Sequence, residues 1–147
     1  MKELEKLYKE QLKNKNYFTT NINVRWEEMD VNEHINYAAY LDYFSEARIE
    51  AVGHDLFVSL RKEGIGPAIY KAEIDFVKEL HHPDTAHIVT WIDETIGKTR
   101  VSVAQEIYSV QKRELIAKAK FAAIFMNIKT RRPIRMPQVL RDKFGLK

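Results

Sequence analysis

Cysteine is absent from this chain. A disulfide framework, a thiolate zinc site and a cysteine nucleophile are therefore excluded, and the absence leans the expected location toward the cytoplasm. Proline and glycine are sparse, 4 and 5 in 147 residues. With no Gly/Ser/Pro-rich linker, low-complexity tract or internal repeat, residues 1–147 read as a single domain. A chain of this length can bury a real core without staples. No apolar run approaches the roughly 20 residues of a membrane span. Met1–Asn16 is charged and lacks the apolar stretch of a signal peptide, so none is expected. A Gly-x-Ser-x-Gly elbow, a phosphate loop and a dinucleotide fingerprint are also missing.

Net charge is a modest +3, but it is unevenly spread. Residues 112–147 carry 11 Lys and Arg against Glu114 and Asp142, a local +9. The first 111 residues carry 13 basic and 19 acidic side chains, a local −6. A basic C-terminal third suits an anionic partner: a nucleotide phosphate or an acidic carrier protein. Few aromatics accompany the basic tail, so nucleic acid is not the expected partner.

What is present is concentrated at residues 30–36, Asp-Val-Asn-Glu-His-Ile-Asn. Asp30, Asn32 and His34 bring a carboxylate, an amide and an imidazole together just before a helical pattern. The carboxylate is a base or nucleophile, the polar groups can orient water, and free amides at a helix start can face a developing negative oxygen. The segment reads as an active site. Its bland alternatives are a turn cap at Asp30, a turn residue at Asn32 and a buried tie at His34. A calcium loop is set aside because the required glycine is missing. His81-His82-Pro83-Asp84 reads as a turn rather than a metal site, and no metal is expected.

The elements around the motif follow from periodicity. Leu4, Leu7, Tyr8 and Leu12 form one face of a helix within Met1–Lys15. Phe18–Glu27 alternates as a first strand. From Tyr37 the apolar spacing is helical through Tyr40, Leu41, Phe44, Ala47 and Ala51, with Asn36 as cap and Gly53 as stop. His54–Lys62 adds a short helical piece, closed by Gly64-Ile65-Gly66-Pro67. Four strands are expected over Ala68–Leu80, Thr85–Thr95, Thr99–Val110 and Leu115–Ile128, and a short helix begins near Pro137. One long helix followed by consecutive strands gives an α+β arrangement, an antiparallel sheet packed on that helix.

The block Trp26–Tyr37, followed by Tyr40-Leu41-Asp42-Tyr43-Phe44-Ser45-Glu46-Ala47-Arg48, resembles the hotdog-fold thioesterases. It is most similar to the 4-hydroxybenzoyl-CoA thioesterase-like and acyl-carrier-protein thioesterase branches. Ile74–Leu80 and Ile92–Gln105 resemble later strands of that family, so the resemblance spans about residues 18–128. It implies a long central helix wrapped by a curved sheet of about five strands, with extra helical segments at both termini. It also implies pairing into a homodimer or homotetramer with the sites at the dimer interface.

The resemblance implies the following roles. Asp30 stands at the family's catalytic carboxylate and either attacks the thioester or activates a water. Asn32 and His34 hold the carboxylate, the water or the carbonyl. Asn36 and Tyr37 form the helix start, with the polarising amide at Tyr37. A thioester has a leaving thiol of pKa about 8.5, so it needs little acid help. Glu33 departs from many CoA-type relatives, which carry glycine just before the histidine. Tyr40, Tyr43 and Phe44 suit core or interface before acyl contact, with Tyr40 kept as a substrate-contact candidate. Lys98, Arg100, Arg131 and Arg132 are candidates for the nucleotide phosphates of coenzyme A.

The expected activity is hydrolysis of acyl-CoA or acyl-carrier-protein thioesters, without a metal or organic cofactor. One rival is a non-catalytic acyl-CoA binding or sensing domain. The other is a hotdog hydratase, whose Asp-x-Asn-Pro-x-His motif this chain departs from by lacking the proline.

Overall fold

In the computed structural model, which describes residues 2–147, the elements run α1 (Lys2–Glu5), β1 (Tyr17–Asn23), a 3-10 turn (Trp26–Glu28), α2 (Tyr37–Val52), α3 (His54–Lys62), β2 (Ile65–Phe76), β3 (Thr85–Ile96), β4 (Arg100–Ser109), β5 (Glu114–Asn127) and α4 (Gln138–Lys143). Met1 lies outside the described residues.

The long helix starts and stops as its sequence dictates. The Asn36 side chain accepts the Ala38 N–H at 2.9 Å, satisfying one of the free donors of the first turn. At the other end Gly53 takes φ +100° and its N–H reaches the Ile49 carbonyl at 2.8 Å. Tyr40, Tyr43, Phe44, Ala47 and Ala51 are buried on one face, which lies on the sheet. Phe44 meets Phe121 edge-on, with ring centroids 5.5 Å apart.

The sheet is fully antiparallel, in the order β1-β3-β4-β5-β2. It curves around α2, the expected α+β arrangement with its terminal helical segments. The central strand β4 is buried on both faces. Its inward residues Val101, Val103 and Ile107 meet the helix cluster. Its outward residues Ala104 and Tyr108 lie under the N-terminal segment.

That segment differs from the expected helix. Only Lys2–Glu5 is α-helical, and the chain continues in turns. Three- and four-residue backbone bonds are mixed there: Leu7 N–H to Leu4, Tyr8 to Glu5, Lys9 to Glu5 and Leu12 to Tyr8. Leu4, Tyr8 and Leu12 still reach the sheet and are buried, whereas Leu7 is 47% exposed. The segment is an apolar strap fitted to the sheet, and that fit overrides helical regularity.

Three strand boundaries also differ by three residues or more. β1 ends at Asn23 because its partner β3 begins at Thr85, opposite Asn23. The chain then winds into the 3-10 turn and leaves Trp26 exposed. At β2 the Gly66-Pro67 pair does not close a turn. It pairs with Met126 and Phe125 inside the strand. Proline fits there because β2 is an edge strand and needs no donor on its free side. β2 also ends earlier than expected, at Phe76, where the Val77 and Lys78 amides both turn to the Ile116 carbonyl.

Candidate active site

Residues 29–36 form a loop held from both sides. Met29 and Ile35 bridge its neck. The Ile35 N–H donates to the Leu80 carbonyl at 2.7 Å and the Asn36 N–H to the Glu28 carbonyl at 2.8 Å. Buried Ile35 anchors the return. Glu28 is fixed in turn: its carboxylate accepts the Tyr43 hydroxyl at 2.6 Å and the Arg25 N–H at 2.9 Å. Burial, and then the Glu28 carboxylate, push the Tyr43 phenol well above its ordinary pKa, so it stays a donor.

Within the loop, one Asp30 carboxylate oxygen accepts the Asn32 N–H at 2.9 Å, an Asx turn. The Asp30 N–H reaches the His34 carbonyl at 2.9 Å, and the Glu33 N–H reaches the Asp30 carbonyl at 3.0 Å. This tight return puts Glu33 at φ +64°, the left-handed region that glycine adopts most easily. A glycine at this position, as the resemblance implies for many CoA-type relatives, would meet this geometry freely, and Glu33 meets it at some cost. The second Asp30 oxygen accepts no hydrogen bond among the described residues.

Asp30 and His34, both half-buried, open into a cavity of 650 Å³ that Tyr37, Tyr40, Phe76 and Glu79 also line. That volume suits a small-molecule ligand. The Tyr37 N–H, first in α2, meets no acceptor among the described residues, since the cap takes Ala38 and Ala39. It is a free donor at the positive end of a 16-residue helix. The Tyr37 ring packs edge-on against Phe76 at 6.5 Å, and Tyr40 against Phe76 at 5.2 Å. Burial, with lesser contributions from the Glu79 and Asp30 carboxylates, raises the Tyr40 hydroxyl to about 12, against an opposing backbone contact at Leu80.

Sequence reasoning missed two members of the site. Glu79 lies between two imidazoles, 3.5 Å from His34 Nε2 through one oxygen and 3.5 Å from His81 Nε2 through the other. The His34 and His81 rings are edge-on, 5.7 Å apart. The His81 Nδ1 lies 3.1 Å from the Glu33 carbonyl, so the proton sits on that nitrogen. No signal in the sequence marked them, because the strand pattern ran on to Leu80; the early end of β2 frees Glu79 and His81 from a strand.

The other predicted residues are placed differently. Asn32 is exposed and meets Asp30 only through its backbone. The Asn36 side chain is spent on the cap. Lys98 and Arg100 sit at the β3–β4 hairpin. Arg131 lines a hollow of 350 Å³ beside Arg61 and Gly66, at the opening end of β2. Arg132 follows in the same turn, where its carbonyl accepts the Asn127 N–H at 2.9 Å. Phe76 is at the other end of β2, on the order of 30 Å away for an extended strand. Within one copy these cations do not meet the Asp30 cavity.

An available carboxylate, an unengaged helix-start amide and a polar pair that can steady water or substrate are groups able to support acyl transfer. Comparison with known proteins gives the family. The family profile described as the thioesterase-like superfamily matches residues 24–144, and the chain belongs to that superfamily. It is 25% identical over 125 residues to the long-chain acyl-CoA thioesterase FadM of Escherichia coli, covering 84% of this chain and 94% of that one. It is 28% identical over 124 residues to the putative acyl-CoA thioesterase YneP of Bacillus subtilis, covering 82% and 88%. Among solved structures, a DHNA-CoA thioesterase from Staphylococcus aureus superposes with a TM-score of 0.74 at 25% identity, covering 86% of this chain and 85% of that one. The fold is the hotdog fold.

Proposed function

We propose that this protein hydrolyses acyl-CoA thioesters to the free acid and coenzyme A, with Asp30 as its catalytic carboxylate. The observation that carries the proposal is the pairing, in one cavity, of a free Asp30 oxygen with the free Tyr37 amide. The names carried by the bacterial relatives support the choice of coenzyme A over a carrier protein.

The chemistry follows from those two groups. The thioester carbonyl oxygen points at the Tyr37 N–H, which gains strength as the oxygen becomes an anion. Asp30 either adds to the carbonyl carbon, giving a mixed anhydride that water then cleaves, or takes a proton from a water that adds. Both routes break the carbon–sulfur bond and release a thiolate that needs little protonation. Glu79 holds the His34 ring at the cavity wall, so His34 is a positioning residue for water or carbonyl.

The working unit is a pair of copies. β2 is a 12-residue edge strand with one side free. Ile69, Tyr70, Phe76 and Val77 stand exposed along and just beyond it. A long exposed apolar edge is a template for pairing. Antiparallel pairing of two β2 edges sets the second copy's Ile65 end, with its Arg61 and Arg131 hollow, beside the first copy's Phe76 end. That places cations where the phosphates of coenzyme A can reach them.

Thiol release from a panel of acyl-CoAs of graded chain length tests the proposal. Turnover with a clear length preference supports it. Retention of every ester intact, with the ligand bound, would leave a binding domain in its place.

A further inference from the structure

A second cavity lies between α2 and the sheet. It holds 220 Å³ and is walled by Ile49 and Val52 from the helix and by Ile92, Val103 and Ala123 from the sheet. An apolar cavity of about 150 Å³ admits a benzene-sized molecule, so this one takes a ring or a short aliphatic chain. Exposed Ile49 and Ile69 are among its lining residues, so in one copy it reaches the surface.

One charged residue lines it, Arg48. Arg48 Nη1 donates to Gln105 Oε1 at 2.9 Å, and the guanidinium carbon lies 4.2 Å from the centre of the Phe121 ring. Gln105 is fully buried, and its amide donates to the Phe44 carbonyl at 3.0 Å and to Thr90 Oγ1 at 2.9 Å. Those two bonds fix the amide with its oxygen toward Arg48. The guanidinium is therefore held in place. None of the ion pairs among the described residues includes Arg48. Burial lowers its pKa to about 10, with no compensating anion. Of its five N–H donors one has a side-chain acceptor. A partly buried cation that lacks a counter-charge, at the wall of an apolar cavity, is costly unless something pairs with it.

We infer that this cavity binds an apolar monocarboxylic acid, its carboxylate paired with the Arg48 guanidinium and its hydrocarbon part lying among Ile92, Val103 and Ala123. The sheet register sets the direction. Thr90 and Gln105 form one row, Ile92, Val103 and Phe121 the next, and Val101 and Ala123 the one beyond. Arg48 sits over the first two rows, and the apolar walls continue away from it. The proposed reaction releases such an acid, so on that reading the ligand is its own product and the cavity is a product-retention site. The binding itself does not depend on that reading.

Titration of the wild-type protein with octanoate and with octan-1-ol tests the inference without any turnover. Octanoate binds and raises the melting temperature, and octan-1-ol, with the same chain, binds about tenfold more weakly. Arg48→Lys keeps most of the octanoate affinity and Arg48→Met loses about tenfold. If Arg48→Met does not fold, Ala123→Leu fills the cavity with Arg48 intact and abolishes binding of both ligands. Equal binding of acid and alcohol, no octanoate binding, or unchanged affinity in Arg48→Met or Ala123→Leu overturns the inference. A protein that binds octanoate in this way but cleaves no thioester keeps this inference and loses the proposed activity, and the reverse result does the opposite.

Discussion

Two histidine clusters in this fold use the same ring in opposite ways. His87 lies under the N-terminal strap, 4% exposed. Its Nδ1 is 2.7 Å from Asn21 Oδ1 and its Nε2 is 2.8 Å from the Tyr8 hydroxyl. Nδ1 donates to the amide oxygen and Nε2 accepts from the phenol, so the neutral ring is fully satisfied. His34 and His81 are more open, share one carboxylate and border a cavity. The lesson is one of satisfaction. Where every polar atom has a partner the cluster holds structure. Where an Asp30 oxygen and a helix amide have none among the described residues, groups are left over that the proposed reaction can use.

That contrast can be broken at either end, and the Asp30 end gives the largest effect. Asp30→Ala lowers kcat/KM for acyl-CoA by about a thousandfold, as read by thiol release. Tyr8→Ala strikes the other cluster. It removes a buried ring from Val89, Trp91, Ala104 and Tyr108 and costs about 3 kcal/mol of stability by denaturant unfolding. Turnover per folded molecule is unchanged, and a fall in turnover matching the Asp30 variant would erase the distinction between the clusters.

Glu79→Gln sharpens the comparison at smaller scale. It keeps the shape between His34 and His81 but removes the charge they share, and kcat for acyl-CoA falls about tenfold. An unchanged kcat would demote Glu79 to a surface acid.

The smallest effect is pH-dependent stability through His87. Burial holds its pKa below the ordinary value, so the unfolded chain takes up the proton first. The stabilising contribution of the neutral ring is complete above about pH 6.5 and is lost as pH falls toward the folded-state pKa. Melting temperatures measured from pH 7.5 to 5 drop in the wild type and drop less in His87→Gln.

Much of the site was legible because its signals are local. Asn36 and Gly53 bound α2 through capping and left-handed geometry within a few residues of each end. The crowding of Asp30, Asn32 and His34 before a helix start announced the loop. Glu79 and His81 were not legible, because the Ile35–Leu80 hydrogen bond that brings them to the loop joins residues far apart in sequence. The start of β2 was misread for a related reason. Gly66 and Pro67 signal a turn unless the strand is known to be an edge, and edge position belongs to the sheet. The strap showed its apolar face in sequence but not its irregular backbone, which the outer face of the sheet imposes.

The most direct measurement is thiol release from acyl-CoA by the wild type and Asp30→Asn in parallel, with melting curves on both. Asparagine retains an oxygen for the Asn32 N–H, so the loop keeps its turn while the charge is gone. The account predicts an unchanged melting temperature and the near-complete loss of thioester cleavage. Equal cleavage by the two proteins would contradict it.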